Sequence, residues 1–201
     1  KNMLRSLWIA KTGMDAEQFN LDVITNNLAN SQTTAFKRVQ PMFQDLLYTT
    51  LRSAGSASNA QNLLPTGLQI GAGAAVTSTE RNNIQGGLIQ TGNQLDVAIQ
   101  GNGYFQIQLA DGTLAYTRNG QFSKSSTGQI VTQAGNVVAG AGVIPANATS
   151  ITINQAGAVY YTLQNNQTAI LAGTITMANF VNPAGLFALG GGNFIPTPAS
   201  G

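Results

Sequence analysis

The sequence predicts a mainly β protein that begins with one long α-helix. Two observations lead to this fold class. Apolar residues recur at steps of three and four over residues 7–28, which is typical of a helix. Short alternating or glycine-bounded segments fill the chain after residue 88, which is typical of antiparallel strands. We expect these strands to form an irregular antiparallel sandwich or barrel.

The composition limits the functions that the chain can have. It has 201 residues, a net charge of +2 and only 8% charged residues, against about a quarter in an average domain. The nine basic residues are scattered, so no nucleic-acid surface is expected. A surface so poor in charge suggests that much of it meets other subunits.

The chain contains neither cysteine nor histidine. Disulfides, metal sites built on these residues and catalytic triads with histidine are therefore excluded. No second carboxylate accompanies Asp96, which the pattern places in a strand, so no acid–base pair is expected. We predict no enzyme, no catalytic residue, no cofactor, no metal site and no small-molecule substrate.

The helix carries a narrow apolar stripe. Steps of three and four from Leu7 meet Glu17 and six apolar residues, which we call the helix seam: Leu7, Ala10, Met14, Leu21, Ile24 and Leu28. A heptad pattern of this length predicts a helix that packs along another helix. Gly13, which lowers helix propensity, suggests a close approach there. The alternative is an ordinary amphipathic helix that lies on a sheet.

No other segment of the sequence matches the seam as a partner helix. We therefore expect the seam to meet another copy, a different protein, or a segment outside this sequence. The amide-rich stretch 26–30 (NNLAN) is expected to be the frayed end of the helix or a loop. Its amides are also suited to bonding a partner's backbone in a packed interface.

The middle of the chain interrupts the helical pattern. Pro41 excludes a helix through its position, and residues 42–51 are apolar enough for either helix or strand. Residues 52–67 are rich in Ser, Ala, Asn and Gly. They predict either a flexible linker or an insert that becomes ordered only against neighbouring subunits.

The strands are expected from residue 95 onward. Residues 95–100 and 104–109 alternate, and the core is predicted from their apolar positions: Leu95, Val97, Ile99, Phe105, Ile107 and Leu109. Asp111-Gly112 predicts a type I′ hairpin turn into residues 113–117. Four further strands are predicted between glycine-containing turns: 129–133, 150–154, 158–163 and 173–180.

Several of these motifs resemble one protein family. SLWIAKTGMDAEQFNLDVITNNLANSQTTAFKR is similar to the amino-terminal signature of bacterial flagellar axial proteins, the rod and hook group. LDVAIQGNGYFQI, YTRNGQF and SITIN resemble the β domain of that group. FQDLLYTTLRSAGSASNAQNLLPTGLQIGAG is similar to the insert that marks distal-rod members against proximal-rod members. The resemblance runs from about residue 3 to 201.

The resemblance carries residues with it. The family motif at the helix end corresponds to Asn26, Asn27, Leu28, Ala29, Asn30, Thr33, Phe36 and Lys37. The β-domain motif corresponds to Asp96, Gly101, Gly103, Phe105, Tyr116, Arg118, Gly120 and Phe122. Phe43 and Leu46 resemble the short element that the flagellar export gate recognises.

Two positions depart from the family pattern. Ala35 replaces the glycine usual before the Phe-Lys pair, which puts a tight positive-φ turn there in question. Asn119 stands where the family often has Asp, a change that touches no catalytic role.

The resemblance implies three parts. Residues 1–32 would be a coiled-coil-type helix of the inner core layer, and 33–70 an extended connector with the distal-rod insert at about 48–66. Residues 71–201 would be the outer antiparallel β domain. Family members end in a second long helix that pairs with the first. This sequence ends at PTPASG, so the partner helix is expected to be absent from it.

The implied function is that of a structural subunit. Copies would polymerise into the helical tube of the distal rod, a drive shaft that transmits motor torque through the periplasm to the hook. The implied partners are proximal rod and hook proteins, the outer bushing rings, the rod-cap protein and the export gate. The subunit would leave the cell through the flagellar export apparatus, without a cleaved signal peptide.

Two alternatives remain from the sequence. The first is a hook or proximal-rod subunit, which shares the helix and β motifs but is disfavoured by the insert. The second is an exported β-rich adhesin or fibre protein. Long parallel repeats are expected of that class, and the sequence has no fixed period.

Overall fold

The computed structural model describes residues 2–55, 66–164 and 166–201. It confirms a mainly β protein with one amino-terminal helix, α1 (Asn2–Ala29), and only antiparallel strand pairs among the described residues. No sheet closes into a barrel in this part of the chain. By their contacts, the residues form two units: one up to Thr33 with Lys37–Asn82, and one of Thr34–Phe36 with Asn83–Gly201.

The first unit combines the helix with two small β ribbons. Strands β1 (Val39–Asp45) and β4 (Ala74–Arg81) pair, with a bulge between Met42 and Phe43. Strands β2 (Tyr48–Arg52) and β3 (Leu68–Gly71) pair as a second ribbon. The helix lies against both β1 and β4.

The second unit contains an eight-stranded and a three-stranded sheet. The larger has the order β14-β15-β6-β5-β9-β8-β7, with β13 also paired to β5; the smaller has the order β10-β11-β12. The strands are β5 (Tyr104–Gln108), β6 (Leu114–Thr117), β7 (Phe122–Lys124), β8 (Ile130–Thr132), β9 (Val137–Val138), β10 (Ala148–Ile153), β11 (Ala158–Leu163), β12 (Asn166–Thr174), β13 (Met177–Ala178), β14 (Phe187–Gly190) and β15 (Asn193–Ile195). A short 3-10 helix spans Pro183–Gly185.

The core of the second unit matches the prediction. Leu95, Ile99, Phe105 and Ile107 are buried, and Val97 and Leu109 pack against them half-buried. The rings of Phe105 and Phe122 meet edge to face, with centroids 5.1 Å apart. A smaller cluster joins Tyr104, Leu186 and Phe194, with Tyr116 and Phe180 beside it.

One predicted strand is wrong. Residues 95–100 form no ladder, and Asp96 makes only an isolated bridge with Gln121. Their alternation has another cause, since Leu95 and Ile99 are buried from an irregular extended segment. The Val97 N–H donates instead to the Gly120 carbonyl at 2.9 Å.

The predicted type I′ turn is also wrong. Gly112 has a positive φ of 83°, but Asp111 does not. The Gly112 N–H donates to the Leu109 carbonyl, and the Leu109 N–H donates to the Thr113 carbonyl, both at 2.9 Å. These bonds define a type I turn followed by a glycine bulge, the usual three-residue hairpin loop.

The predicted part boundaries differ from the contact division. Strand β4 lies beyond residue 71, yet it pairs with β1 beside the helix. The three-part division at residues 32 and 70 stays a prediction. The insert at 48–66 begins in β2, and its residues 56–65 lie outside the described residues.

Candidate assembly interface

One face of the helix packs against its own unit. Ala16 is 7% exposed, and half-buried side chains lie above and below it at helical spacing, forming what we call the packed face: Ile9, Thr12, Ala16, Phe19, Val23 and Asn27. Thr12 lies over Gly73, where a Cβ would approach its Oγ1 to 2.1 Å. The Arg5 Nη2 donates to the Ile70 carbonyl at 3.0 Å.

The helix seam lies on a different side and is exposed. The five large seam residues Leu7, Met14, Leu21, Ile24 and Leu28 are between 51% and 73% exposed, and Ala10 is exposed too. Trp8 widens this apolar surface at 60% exposure. The alternative of a helix lying on a sheet therefore describes the packed face, while the large seam side chains stay more than half exposed among the described residues.

The packed face was not predicted from the sequence. Its residues also follow steps of three and four from Ile9, but Thr12 and Asn27 are polar, so the stripe is less apolar than the seam. Among the described residues, a Cβ at Gly13 would meet nothing within 4 Å, so the close approach expected there stays a prediction for a partner helix.

The amide-rich end of the helix bonds its own chain. The Asn27 Nδ2 donates to the Val39 carbonyl at 2.8 Å, and the Val39 N–H donates to the Asn27 Oδ1 at 2.9 Å. Asn30 closes the helix end, since its N–H and its Nδ2 both donate to the Asn26 carbonyl. The side chains of Asn26, Leu28 and Ala29 remain exposed.

The turn that follows keeps the positive φ that the family pattern implies. Ala35 has φ 61°, in the left-handed region. A side chain with a Cβ is strained there by about 1–2 kcal/mol. The turn that this alanine put in question is therefore present. Thr33, before the turn, donates its N–H to the Asn30 carbonyl at 3.0 Å, and Phe36 and Lys37 after it are half-buried.

The candidate export element lies in the β1 region. Phe43 belongs to β1, pairs with Val76 across the ladder and is 46% exposed. Leu46 follows the strand, and its N–H donates to the Gly73 carbonyl at 2.9 Å.

The β-domain motif builds a turn held by one guanidinium. Arg118 donates from Nη1 to the Gly103 carbonyl at 2.8 Å and from Nη2 to the Gly101 carbonyl. Its Nη2 also donates to the Gln85 Oε1 at 3.2 Å, and its guanidinium lies over the Tyr104 ring. Gln85 completes what we call the arginine clamp, because its Oε1 accepts from the Gly101 N–H and its Nε2 donates to the Ile99 carbonyl.

The other motif residues have structural roles. Gly120 is buried where a Cβ would lie 1.6 Å from the Val97 oxygen. Tyr116 packs edge to face on Phe180, with ring centroids 4.8 Å apart. The Asp96 carboxylate accepts from the Thr91 hydroxyl at 2.7 Å and from the Asn93 Nδ2 at 2.8 Å.

The described residues include few groups suited to metal binding or proton transfer. No group of three acidic residues lies close enough there to hold a metal ion. Asp111 has a shifted pKa, which the hydrogen bond from the Thr113 backbone N–H lowers below the ordinary value of a carboxyl. Over the same described residues, no helix is both long and apolar enough to cross a membrane.

Two families of known proteins match this chain, one over the helix and one over part of the β region. Residues 7–37, which hold the helix seam and the amide-rich end, match the family described as flagella basal body rod protein. Residues 98–161, which hold Arg118 and the Gly101 and Gly103 carbonyls of the arginine clamp but not Gln85, match the family described as flagellar hook protein FlgE/F/G D1 domain.

Whole proteins match across almost all of the chain. The flagellar basal-body rod protein FlgG of Agrobacterium fabrum is 47% identical over 200 residues, which cover 98% of this chain and 76% of that protein. FlgG of Buchnera aphidicola subsp. Acyrthosiphon pisum is 46% identical over 99% of this chain and 76% of its own length. The flagellar hook protein FlgE of Helicobacter mustelae is 39% identical, but over 69% of this chain and 31% of its own length.

Proposed function

Because this chain belongs to the family of flagellar basal-body rod proteins FlgG, we propose that the helix seam is the surface through which its copies assemble. The chain is a structural subunit of the bacterial flagellar distal rod, located in the flagellar basal body. The hook alternative is not favoured, since the hook relative aligns over a much smaller share of both chains. The adhesin alternative has no support among these relatives.

The observation that carries the proposal is the exposure of the seam. A helix that packs by one face has no need of a second apolar stripe, yet five large seam residues are more than half exposed. Burying one leucine side chain contributes about 1.5–3 kcal/mol. A seam that meets helices of neighbouring copies, and the carboxy-terminal helix that the family resemblance implies, gains this stabilisation only on assembly.

The test is a double substitution in the seam. Leu21→Ala with Leu28→Ala removes apolar surface from two exposed positions. We expect the 201-residue chain to melt at an unchanged temperature, while flagellated cells that carry the same two changes lose basal-body rods in electron micrographs and stop swimming.

Two controls separate assembly from folding. Leu114→Ala with Leu171→Ala removes the same atoms from exposed positions outside the helix, and cells carrying it should swim. Val23→Ala on the packed face should lower the melting temperature of the first unit. Normal swimming of the seam variant, or a drop in its melting temperature, would show that the seam is not the assembly surface.

We assign a second assembly role to the insert at 48–66. Its first part is the exposed strand β2, whose ribbon with β3 leaves Tyr48 and Leu51 more than half exposed. Two-stranded ribbons need a covered apolar face for stability in water, so we expect a neighbouring subunit to cover these side chains. Deletion of 48–66 should leave the second unit folded and give a softer or curved rod. A straight rod of unchanged stiffness would contradict this role.

The remaining partners follow from the position of a distal rod. We propose contacts with proximal rod and hook proteins, the outer bushing rings and the rod-cap protein, in a rod that spans the periplasm and transmits torque to the hook. We also propose export through the flagellar gate, without a cleaved signal peptide, with Phe43 and Leu46 as the recognised element.

The export element has a sharp test. Phe43→Ala with Leu46→Ala should lower the amount of subunit exported by cells, whereas Met42→Ala with Leu47→Ala, at neighbouring positions, should leave it unchanged. Equal export of both variants would remove Phe43 and Leu46 from this role.

A further inference from the structure

Two asparagines in the sequence are followed directly by glycine: Asn102-Gly103 and Asn119-Gly120. Such a pair can modify itself. The backbone nitrogen after the asparagine attacks the side-chain carboxamide carbon, the C–N bond of the carboxamide breaks, and ammonia leaves with the proton of the attacking N–H. Water then opens the resulting succinimide to aspartate or isoaspartate. Glycine favours the attack because it has no Cβ to hinder it.

We infer that Asn102 is a site of spontaneous deamidation in the folded subunit and that Asn119 is protected. Asn102 and the preceding Gly101 are exposed, and Gly101 has a φ of 95°. Within the described part of the chain, the Asn102 carboxamide has no hydrogen-bond partner. No hydrogen bond of the described residues therefore restrains its rotation toward the next peptide nitrogen, although Gly103 itself is buried.

The arginine clamp supplies a second reason. The Arg118 guanidinium bonds the carbonyls on both sides of Asn102, those of Gly101 and Gly103. It therefore keeps a positive charge beside the residue that becomes a carboxylate. A positive charge stabilises a nearby negative product and the negative charge that develops during the attack.

Asn119 has the same dipeptide in the opposite environment. Its Oδ1 accepts from the Gln121 N–H at 3.0 Å, which fixes the carboxamide. Gly120 is buried, and its carbonyl accepts from the Val97 N–H at 2.9 Å. A ring formed between Asn119 and Gly120 would displace the segment at Val97, so the second unit has to open first.

Modification at Asn102 would also act on the clamp. Isoaspartate adds one backbone carbon between Gly101 and Gly103. The Arg118 guanidinium bonds the carbonyls of both glycines, so the added carbon would disturb these two bonds. Aspartate leaves the backbone unchanged. The two products of the same reaction are therefore expected to differ in their effect on stability, with isoaspartate the more damaging.

The experiment incubates the purified 201-residue chain at mildly alkaline pH in water enriched in heavy oxygen, which labels each newly formed carboxylate. Peptide mass spectrometry then measures the acid formed at both positions, in the folded chain and in the chain unfolded by urea. In urea the two positions should react at similar rates. In the folded chain, Asn102 should react at least about tenfold faster than Asn119, since the Asn119 reaction requires opening of the β unit.

The matched variant is Asn102→Gln, which keeps the amide but disfavours the five-membered ring. It should abolish the label at position 102 and leave the slow reaction at 119 unchanged. Equal rates at both asparagines in the folded chain, or protection of Asn102 as strong as that of Asn119, would overturn the inference. The urea arm shows that the conditions support the reaction, so a negative result in the folded chain is decisive.

Discussion

The carboxamide of Asn27 exchanges two hydrogen bonds with the backbone of Val39, at 2.8 and 2.9 Å. The side chain thus satisfies the N–H and C=O groups of one residue at the start of β1, as a neighbouring strand would. An aspartate at position 27 could accept from the Val39 N–H but could not donate to the Val39 carbonyl.

We expect Asn27→Asp to destabilise the first unit. The carboxylate can accept from the Val39 N–H but cannot donate to the Val39 carbonyl, so a half-buried acceptor loses its partner at a cost of about 1–3 kcal/mol. Asn26→Asp is the matched control, because it adds the same charge to the same helix turn on an exposed side chain, and it should cost no more than about 0.5 kcal/mol. Urea unfolding followed by helical circular dichroism measures both. Equal losses would mean that the bonds to Val39 contribute nothing.

Ala35→Gly should stabilise the protein. Glycine relieves the strain of φ 61°, which is worth about 1–2 kcal/mol. Glycine also gives the unfolded chain more conformational freedom, which offsets part of that stabilisation. The net gain in stability should therefore be about 1 kcal/mol or less. Ala10→Gly, inside the helix and on an exposed side chain, should have the opposite sign, with a loss of about 0.5–1 kcal/mol. The measurement is the urea midpoint of both variants. A lower midpoint for Ala35→Gly would show that the turn at position 35 is not strained.

Gly120→Ala should prevent correct packing of the second unit. A Cβ at this position would lie 1.6 Å from the Val97 carbonyl oxygen, which is backbone and cannot rotate away. We expect a loss above about 4 kcal/mol, within the range reserved for severe core defects. Gly86→Ala, where a Cβ would meet nothing within 4 Å, should be nearly neutral. Thermal melts in the β region of the spectrum distinguish the two, and a stable Gly120→Ala variant would refute the close approach.

Acid stability offers a test at the Asp111 turn. The Thr113 N–H lowers the pKa of the Asp111 carboxyl, so the folded state favours the ionised form. The resulting stabilisation is present above the unfolded pKa of about 4 and is lost as the pH falls through the lower folded pKa. Asp111→Asn keeps an acceptor oxygen but cannot titrate. Stability measured from pH 6 down to pH 2 should therefore fall less steeply for the variant, and parallel curves would contradict the role of this carboxyl.

The turns show how far local sequence predicts this fold. Four hairpin loops share one pair of hydrogen bonds. The N–H of a glycine donates to the carbonyl of the residue three positions earlier, and the N–H of that earlier residue donates to the carbonyl of the residue after the glycine. The loops are closed by Gly112, Gly128, Gly135 and Gly157. Glycine spacing was enough to place these turns. The turn type at Asp111 was wrong because Asp-Gly suits both kinds of loop, and the choice depends on strand twist rather than on the two residues.

Periodicity located the helix but did not settle which face it packs. Two stripes run along α1 at nearly the same spacing, and the more apolar one, the seam, is the exposed one. The packed face uses Thr12 over Gly73 and the side chain of Asn27, contacts between residues far apart in the sequence that no periodic pattern contains. The strand predicted at 95–100 failed for a similar reason, since Gly120 brings a backbone close enough to replace a ladder.

The pairing of Asn27 with Val39 also has a mechanical consequence for a protein that carries load. A force that enters the helix through its exposed stripe reaches β1 by two routes: along the covalent turn around the strained Ala35, or directly through the amide bridge. The bridge is the shorter of the two, because its hydrogen bonds join residues that are twelve positions apart along the chain. It acts as a tie across the turn, so a twist applied to the helix loads the β1–β4 ladder before the turn has unwound.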